Sequence, residues 1–271
     1  MTRGSLPVLV AFGLMAASFT LGATPEATGT AIPRGADGKP DFSGIWQSLS
    51  GADYGLEPHP ATKDTPPGVG VLVAGAVEGG KIPYKLEALA QRAKNFAARA
   101  TADPRVKCFT LGTPRGLYGA EPFQILQRPR DLTILFEFGH PVRTINTNAT
   151  EHPDGHIDFW LGDSRGRWEG DTLVVDVTDF NGEAWLDRTG NFNSDELHLV
   201  ERWSFLDRNT IRYRATFDDP RVYTKPWSIE VLLYRRLEPN VQLIENYCST
   251  LDFSDYYPVP VASTEKLRSE R

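Results

Sequence analysis

Little in this sequence points to a ready-made reactive group. Its 271 residues include only two cysteines, two methionines and five histidines. There is no H-E-x-x-H and no paired C-x-x-C, and neither cysteine has His or carboxylate neighbours at metal-ligand spacing, so no metal site is expected. His152 and His156 lie four apart near Asp158, but Pro153 and Gly155 interrupt any helix that would align them. The absence of G-x-S-x-G removes the nucleophile elbow. The absence of G-x-G-x-x-G and of the P-loop removes support for nucleotide chemistry, and no cofactor is expected. Basic blocks are missing too. With a formal net charge of −6, nothing suggests a nucleic-acid surface.

Long apolar runs are also lacking, except at the start. "MTRGS" carries positive charge and "LPVLVAFGLMAASFTLGA" is apolar and rich in small residues, a secretory-signal pattern. Residues 1–23 are therefore expected to be a signal peptide cut after Ala23, with Ala31 as second choice. The stretch is short for a membrane span. A soluble periplasmic or secreted protein is expected, without stable membrane insertion after cleavage. In that compartment Cys108 and Cys248 are candidates for one disulfide, with two buried free thiols as the alternative.

What is present is a strand pattern. Residues 24–41 are rich in Pro, Gly and Thr and read as an extended linker, leaving 42–271 as one domain. "IPYKLEALAQRAKNFAARATADP" is the one convincing helix, near 83–101, with Leu86, Leu89, Ala90, Ala93, Phe96, Ala97 and Ala100 as its apolar stripe. Segments reading as strands are "PDFSGIWQ", "FQILQ", "LTILFEF", "VRTIN", "HIDFWLG", "TLVVDVTDF", "ELHLVERWSF", "TIRYRATF", "WSIEVLLYRR" and "VQLIENYCSTL". Short turns such as "LDRN" and "LEPN" suit antiparallel neighbours. A meander this long exposes two edges unless it closes. The expected fold is all-β: an antiparallel meander closed into a barrel of about eight to ten strands, with one flanking helix and room for one small ligand.

"SGIW" on the first strand resembles the G-x-W of lipocalins and related calycin barrels. That resemblance implies that Trp46 plugs one barrel end, with Arg235 or Arg236 packed on it. A second resemblance covers most of the chain. "PDFSGIW", "KCFTLGTPRG", "PFQILQ", "RGRWEGDTLVVDVTDFN", "WLDRTG", "ELHLVERW", "DDPRVYTKPW" and "LIENYC" are similar, in this order, to a large family of mostly uncharacterised exported bacterial proteins. The family pattern implies no reaction. Both cysteines recur in it, which favours the Cys108–Cys248 bridge.

Chemistry is sought among ionisable residues inside strands. Alternation in "ELHLVERW" groups Leu197, Leu199, Glu201 and Trp203 on one mostly apolar face, and His198, Val200 and Arg202 on the other. A carboxylate among Leu and Trp must be paired or have a raised pKa. Glu201 is thus either a candidate acid–base group or half of a structural pair with Arg143 or Arg212. The same test groups Leu243, Glu245 and Tyr247. The expectation is an exported, cofactor-independent enzyme of lyase or isomerase type. Glu201 or His198 would be the base, Glu245 or Tyr223 the acid or orienter, and Arg143 the group that stabilises negative charge. His152, Trp160, Trp185, Asp187 and Trp227 would line the mouth for a small hydrophobic, aromatic or terpenoid substrate. The alternative is a periplasmic lipocalin-like binding protein for a small apolar ligand.

Overall fold

A computed structural model describes residues 31–60, 77–155, 157–246 and 248, together with residue 1. The expected signal peptide, His156 and Tyr247 lie outside the described residues. The chain divides into two units, Met1–Thr30 and Ala31–Arg271, and the barrel belongs to the second.

Nine strands close into a barrel in chain order. They are β1 (Gly44–Ser48), β2 (Phe123–Arg128), β3 (Asp131–Phe136), β4 (Val142–Asn146), β5 (Asp163–Glu169), β6 (Thr172–Thr178), β7 (His198–Asp207), β8 (Thr210–Asp218) and β9 (Trp227–Arg235). Two helices, α1 (Leu86–Ala102) and the one-turn α2 (Arg115–Tyr118), lie between β1 and β2 with a 3-10 turn, Pro104–Lys107. Period-two burial drives the sheet: on β8, Ile211, Tyr213, Ala215 and Phe217 are buried and the residues between them are not. Arg212 and Arg214 face outward. β1 pairs with β2 and with β9, which abolishes the edges.

The structure differs from the sequence reading in several places. The meander is not wholly antiparallel, because β4 and β5 run parallel. The connection over 147–162 is long enough for the crossover that parallel neighbours need. "HIDFWLG" is therefore connection, and β5 is "DSRGRWE" instead. The tail "VQLIENYCSTL" is not a strand where it is described; an isolated bridge joins Asn246 to Phe138. The expected linker is partly structured. Arg34 bridges to Pro40, and its guanidinium donates to Asp171 at the β5–β6 turn.

Trp46 and Arg235 pack on each other. Trp46 is fully buried and its indole N–H donates to Phe42 O. The Arg235 guanidinium stacks 4.2 Å from the ring centroid, and its Nη1 donates to Ser43 O. Arg236 bonds Gln47 and Glu238 instead. Gly44 explains the glycine of the motif. Its φ is +141°, and an added Cβ would come within 2.2 Å of Arg235 Nη1.

Inward-facing side chains of the barrel pack into one contiguous core. Trp46, Trp203, Tyr213, Phe42, Phe123, Phe217, Ile125 and Leu132 are among its largest fully buried members. Outside it, the loops are held by a buried charge cluster. Asp53 accepts from Arg115 and Arg188, and Asp103 takes both ends of the Arg115 guanidinium. Cys108 and Cys248 are bonded, with Cα atoms 5.5 Å apart.

Candidate functional site

Glu201 does face inward, as alternation requires, but it meets a complete set of partners. Arg143 on β4 donates from Nη1 to Oε1 (3.0 Å) and from Nη2 to Oε2 (2.8 Å). The Tyr213 hydroxyl donates to Oε1 at 2.6 Å and the Trp203 indole N–H to Oε2 at 3.4 Å. Arg143 also donates from Nε and Nη2 to Ser164 Oγ on β5. Burial, and then the neighbouring Glu201 charge, push the Tyr213 phenol well above its ordinary range. Glu201 is 0% exposed and paired with Arg143, the arrangement of the Glu–Arg alternative.

His198 faces outward. Its Nε2 lies 2.9 Å from Asp176 Oδ2 on β6. His152 bridges Asp163 Oδ2 (2.6 Å) and Asp176 Oδ1 (3.0 Å), and Arg165 also holds Asp163. These residues clasp the 147–162 connection to the outside of β5–β7. Burial raises the pKa of Asp176, but hydrogen bonds and charge from His198 and His152 outweigh it and leave it below the ordinary range. Among the described residues, no group of three or more His, Cys, Asp or Glu is arranged to hold a metal ion.

The other expected site residues do not converge. Glu245 is exposed on the tail after β9 and does not meet Glu201 across the lumen. The backbone before it is tied by Ile244 N–H to Glu137 Oε2. Asp187 is fully buried and organises its own loop, accepting from the backbones of Leu56, Thr189 and Asn191 and the side chains of Thr189 and Asn191. Tyr223 is buried, donates to Phe192 O, and is pushed well above the usual phenol range, by burial first and Tyr84 next. Trp185 is buried in a bridge to Phe192. Trp160 donates to Thr110 O at 2.9 Å. Trp227 stacks on Phe217 with centroids 4.2 Å apart. Of this set, Trp227 lines a sizeable cleft.

That cleft adjoins α1, whose apolar stripe does not face the core. The helix turns Ala88 and Asn95 into the protein, with Arg92 and Arg99 half-buried beside them. Asn95 Nδ2 donates to Gly190 O, and Arg92 pairs with Glu57 at 2.8 Å. Gly190 (φ +82°) permits the approach, since a Cβ there would fall 2.7 Å from the Phe96 backbone nitrogen. The apolar stripe is left outside: Leu86 is 83% exposed, Leu89 42% and Phe96 38%. Leu89, Ala93 and Phe96 form one wall of a trough of about 470 Å³ whose other wall includes Pro58, His59 and Pro60. A second cleft of about 930 Å³ lies between Ile82, Pro83, Tyr84, Leu89 and the barrel residues Trp227 and Ser228. Both clefts are lined by Glu57, Leu89 and Arg92, so they adjoin across the Arg92–Glu57 bridge.

Comparison with known proteins adds little. No protein-family model and no curated protein matches the chain. Among solved structures it is similar to a mutant of the fluorescent protein UnaG, at 12% identity over 73% of this chain and 97% of that one, with a TM-score of 0.30. No helix among the described residues is long and apolar enough to cross a membrane.

Proposed function

We propose that this is an exported binding protein that takes a small apolar molecule on the outer face of its barrel, in the joined clefts beside α1. The observation that carries the reading is the exposed apolar stripe of α1. Seating α1 through Arg92 and Asn95 while leaving Leu89 and Phe96 exposed sacrifices the ordinary gain of burying that stripe. A bound apolar ligand recovers it. Export is supported by the N-terminal charge-then-apolar pattern and by the formed disulfide. The motif series, which resembles that of a family of exported bacterial proteins, supports the same reading. A catalytic use of Glu201 has no support in a carboxylate with four donors and no exposed surface.

The test is fluorescence titration with the neutral apolar probe N-phenyl-1-naphthylamine. Saturable enhancement is expected, and it should be lost in Leu89→Glu and Phe96→Glu variants that melt like the parent. An unchanged titration in both variants removes the α1 site. Concentration-dependent dimerisation abolished by the same substitutions would assign the stripe to a second copy of the chain instead.

A further inference from the structure

The charges around the larger cleft are unevenly satisfied. Its lining includes two acids, Glu57 and Glu78, and three cations, Lys81, Arg92 and Lys225. Both acids are spoken for. Glu57 Oε2 pairs with Arg92 and its Oε1 accepts from Ile82 N–H. Glu78 pairs with Arg214, which reaches in from the outer face of β8. Lys81 and Lys225 have no ion-pair partner among the described residues, although they share one cleft on a protein whose formal net charge is −6. Two like charges in one concavity, with the neighbouring acids already neutralised, leave a local positive potential. The adjoining trough supplies the complementary half, with Leu89, Ala93 and Phe96 on one wall and prolines on the other.

Resting on the binding reading above, we infer that the ligand is an amphipathic anion. Its apolar body lies along Leu89, Ala93 and Phe96, and its anionic head sits in the larger cleft beside Lys81 and Lys225. Arg92 stands between the halves. Its guanidinium is already held by Glu57 and lies 5.8 Å from the Tyr84 ring, so it is a partition rather than the main receptor of the head. A cationic ligand would meet the two ammonium groups with both acids engaged. Lys81 and Lys225 are exposed to water, so a neutral ligand would only forgo their attraction.

Two probes with the same aromatic body separate the terms. 1-Anilinonaphthalene-8-sulfonate carries the anion, and N-phenyl-1-naphthylamine lacks it. The anionic probe is expected to bind about fivefold more tightly at low salt, the scale of two exposed ion pairs, with the preference shrinking as ionic strength rises. Lys81→Gln combined with Lys225→Gln should equalise the two probes and leave the neutral one unchanged. Equal affinities in the parent, or a preference that survives the double substitution, overturn the anion inference while the apolar site stands. If neither probe binds, or neither responds to Leu89→Glu, the site itself is wrong and the inference falls with it.

Discussion

Arg143 and Glu201 meet inside the packed barrel as a two-point ion pair, Nη1 to Oε1 at 3.0 Å and Nη2 to Oε2 at 2.8 Å. Both side chains are essentially without solvent contact. Removing one partner leaves the other as an uncompensated buried charge. Arg143→Met or Glu201→Leu alone is expected to cost about 3–5 kcal/mol of unfolding free energy, and the double replacement less than either. Urea titration of the three variants checks this. If both singles stay within 1 kcal/mol of the parent, the two groups are wet and the sealed-core description is wrong.

Gly44 and Arg235 make a second test. Gly44→Ala places a methyl where the guanidinium lies and adds strain at φ +141°. About 1–3 kcal/mol of destabilisation is expected from the backbone alone. Trp46 fluorescence should shift as the cation leaves its ring, and Arg236→Ala should leave that signal in place.

The Cys108–Cys248 bond spans 140 residues. In the chain-entropy description, closing a loop of that size is worth about 4–5 kcal/mol. Replacing both cysteines by serine should lower the urea midpoint by a corresponding amount. Binding of the neutral probe to folded protein should change little, because neither cysteine lines the α1 clefts.

Asp53 sets an acid limit. Burial pushes its carboxyl up, but Arg115, Arg188 and Arg105 outweigh this and hold it far below the usual carboxylate range. A depressed folded pKa contributes stability that is fully present above the unfolded value of about 3.9 and is lost as pH falls below it. Unfolding free energy should therefore drop steeply below about pH 4. Asp53→Asn should be less stable at neutral pH and show a shallower acid limb.

The barrel was legible where burial alternates by two, as in "TIRYRATF" and "ELHLVERW". It was not legible where one sheet neighbour is parallel. "DSRGRWE" looks polar enough for a turn, yet β5 buries Ser164 and Gly166 and leaves its arginines on the outer side. Alternation puts Glu201 on the same face as Leu199 and Trp203 but leaves Arg143 and Arg212 equally open as its partner; the structure pairs it with Arg143, while Arg212 faces Glu230 outside. The candidate site was missed for a physical reason. Hydrophobic periodicity locates a helix but assigns its apolar side to the core by default. α1 is seated by hydrogen bonds and an ion pair from Asn95 and Arg92, which no apolar pattern records. The spacing of Ala88, Arg92, Asn95, Arg99 and Ala102 carried that signal.

Because β1 finds its other neighbour in β9, the ring cannot shut until residue 235 is available to lie against Trp46. Pairings this distant in sequence are slow to form. While the chain is being made, the side of β1 that faces β9 therefore stays an open edge until the last strand arrives, so ring closure comes last.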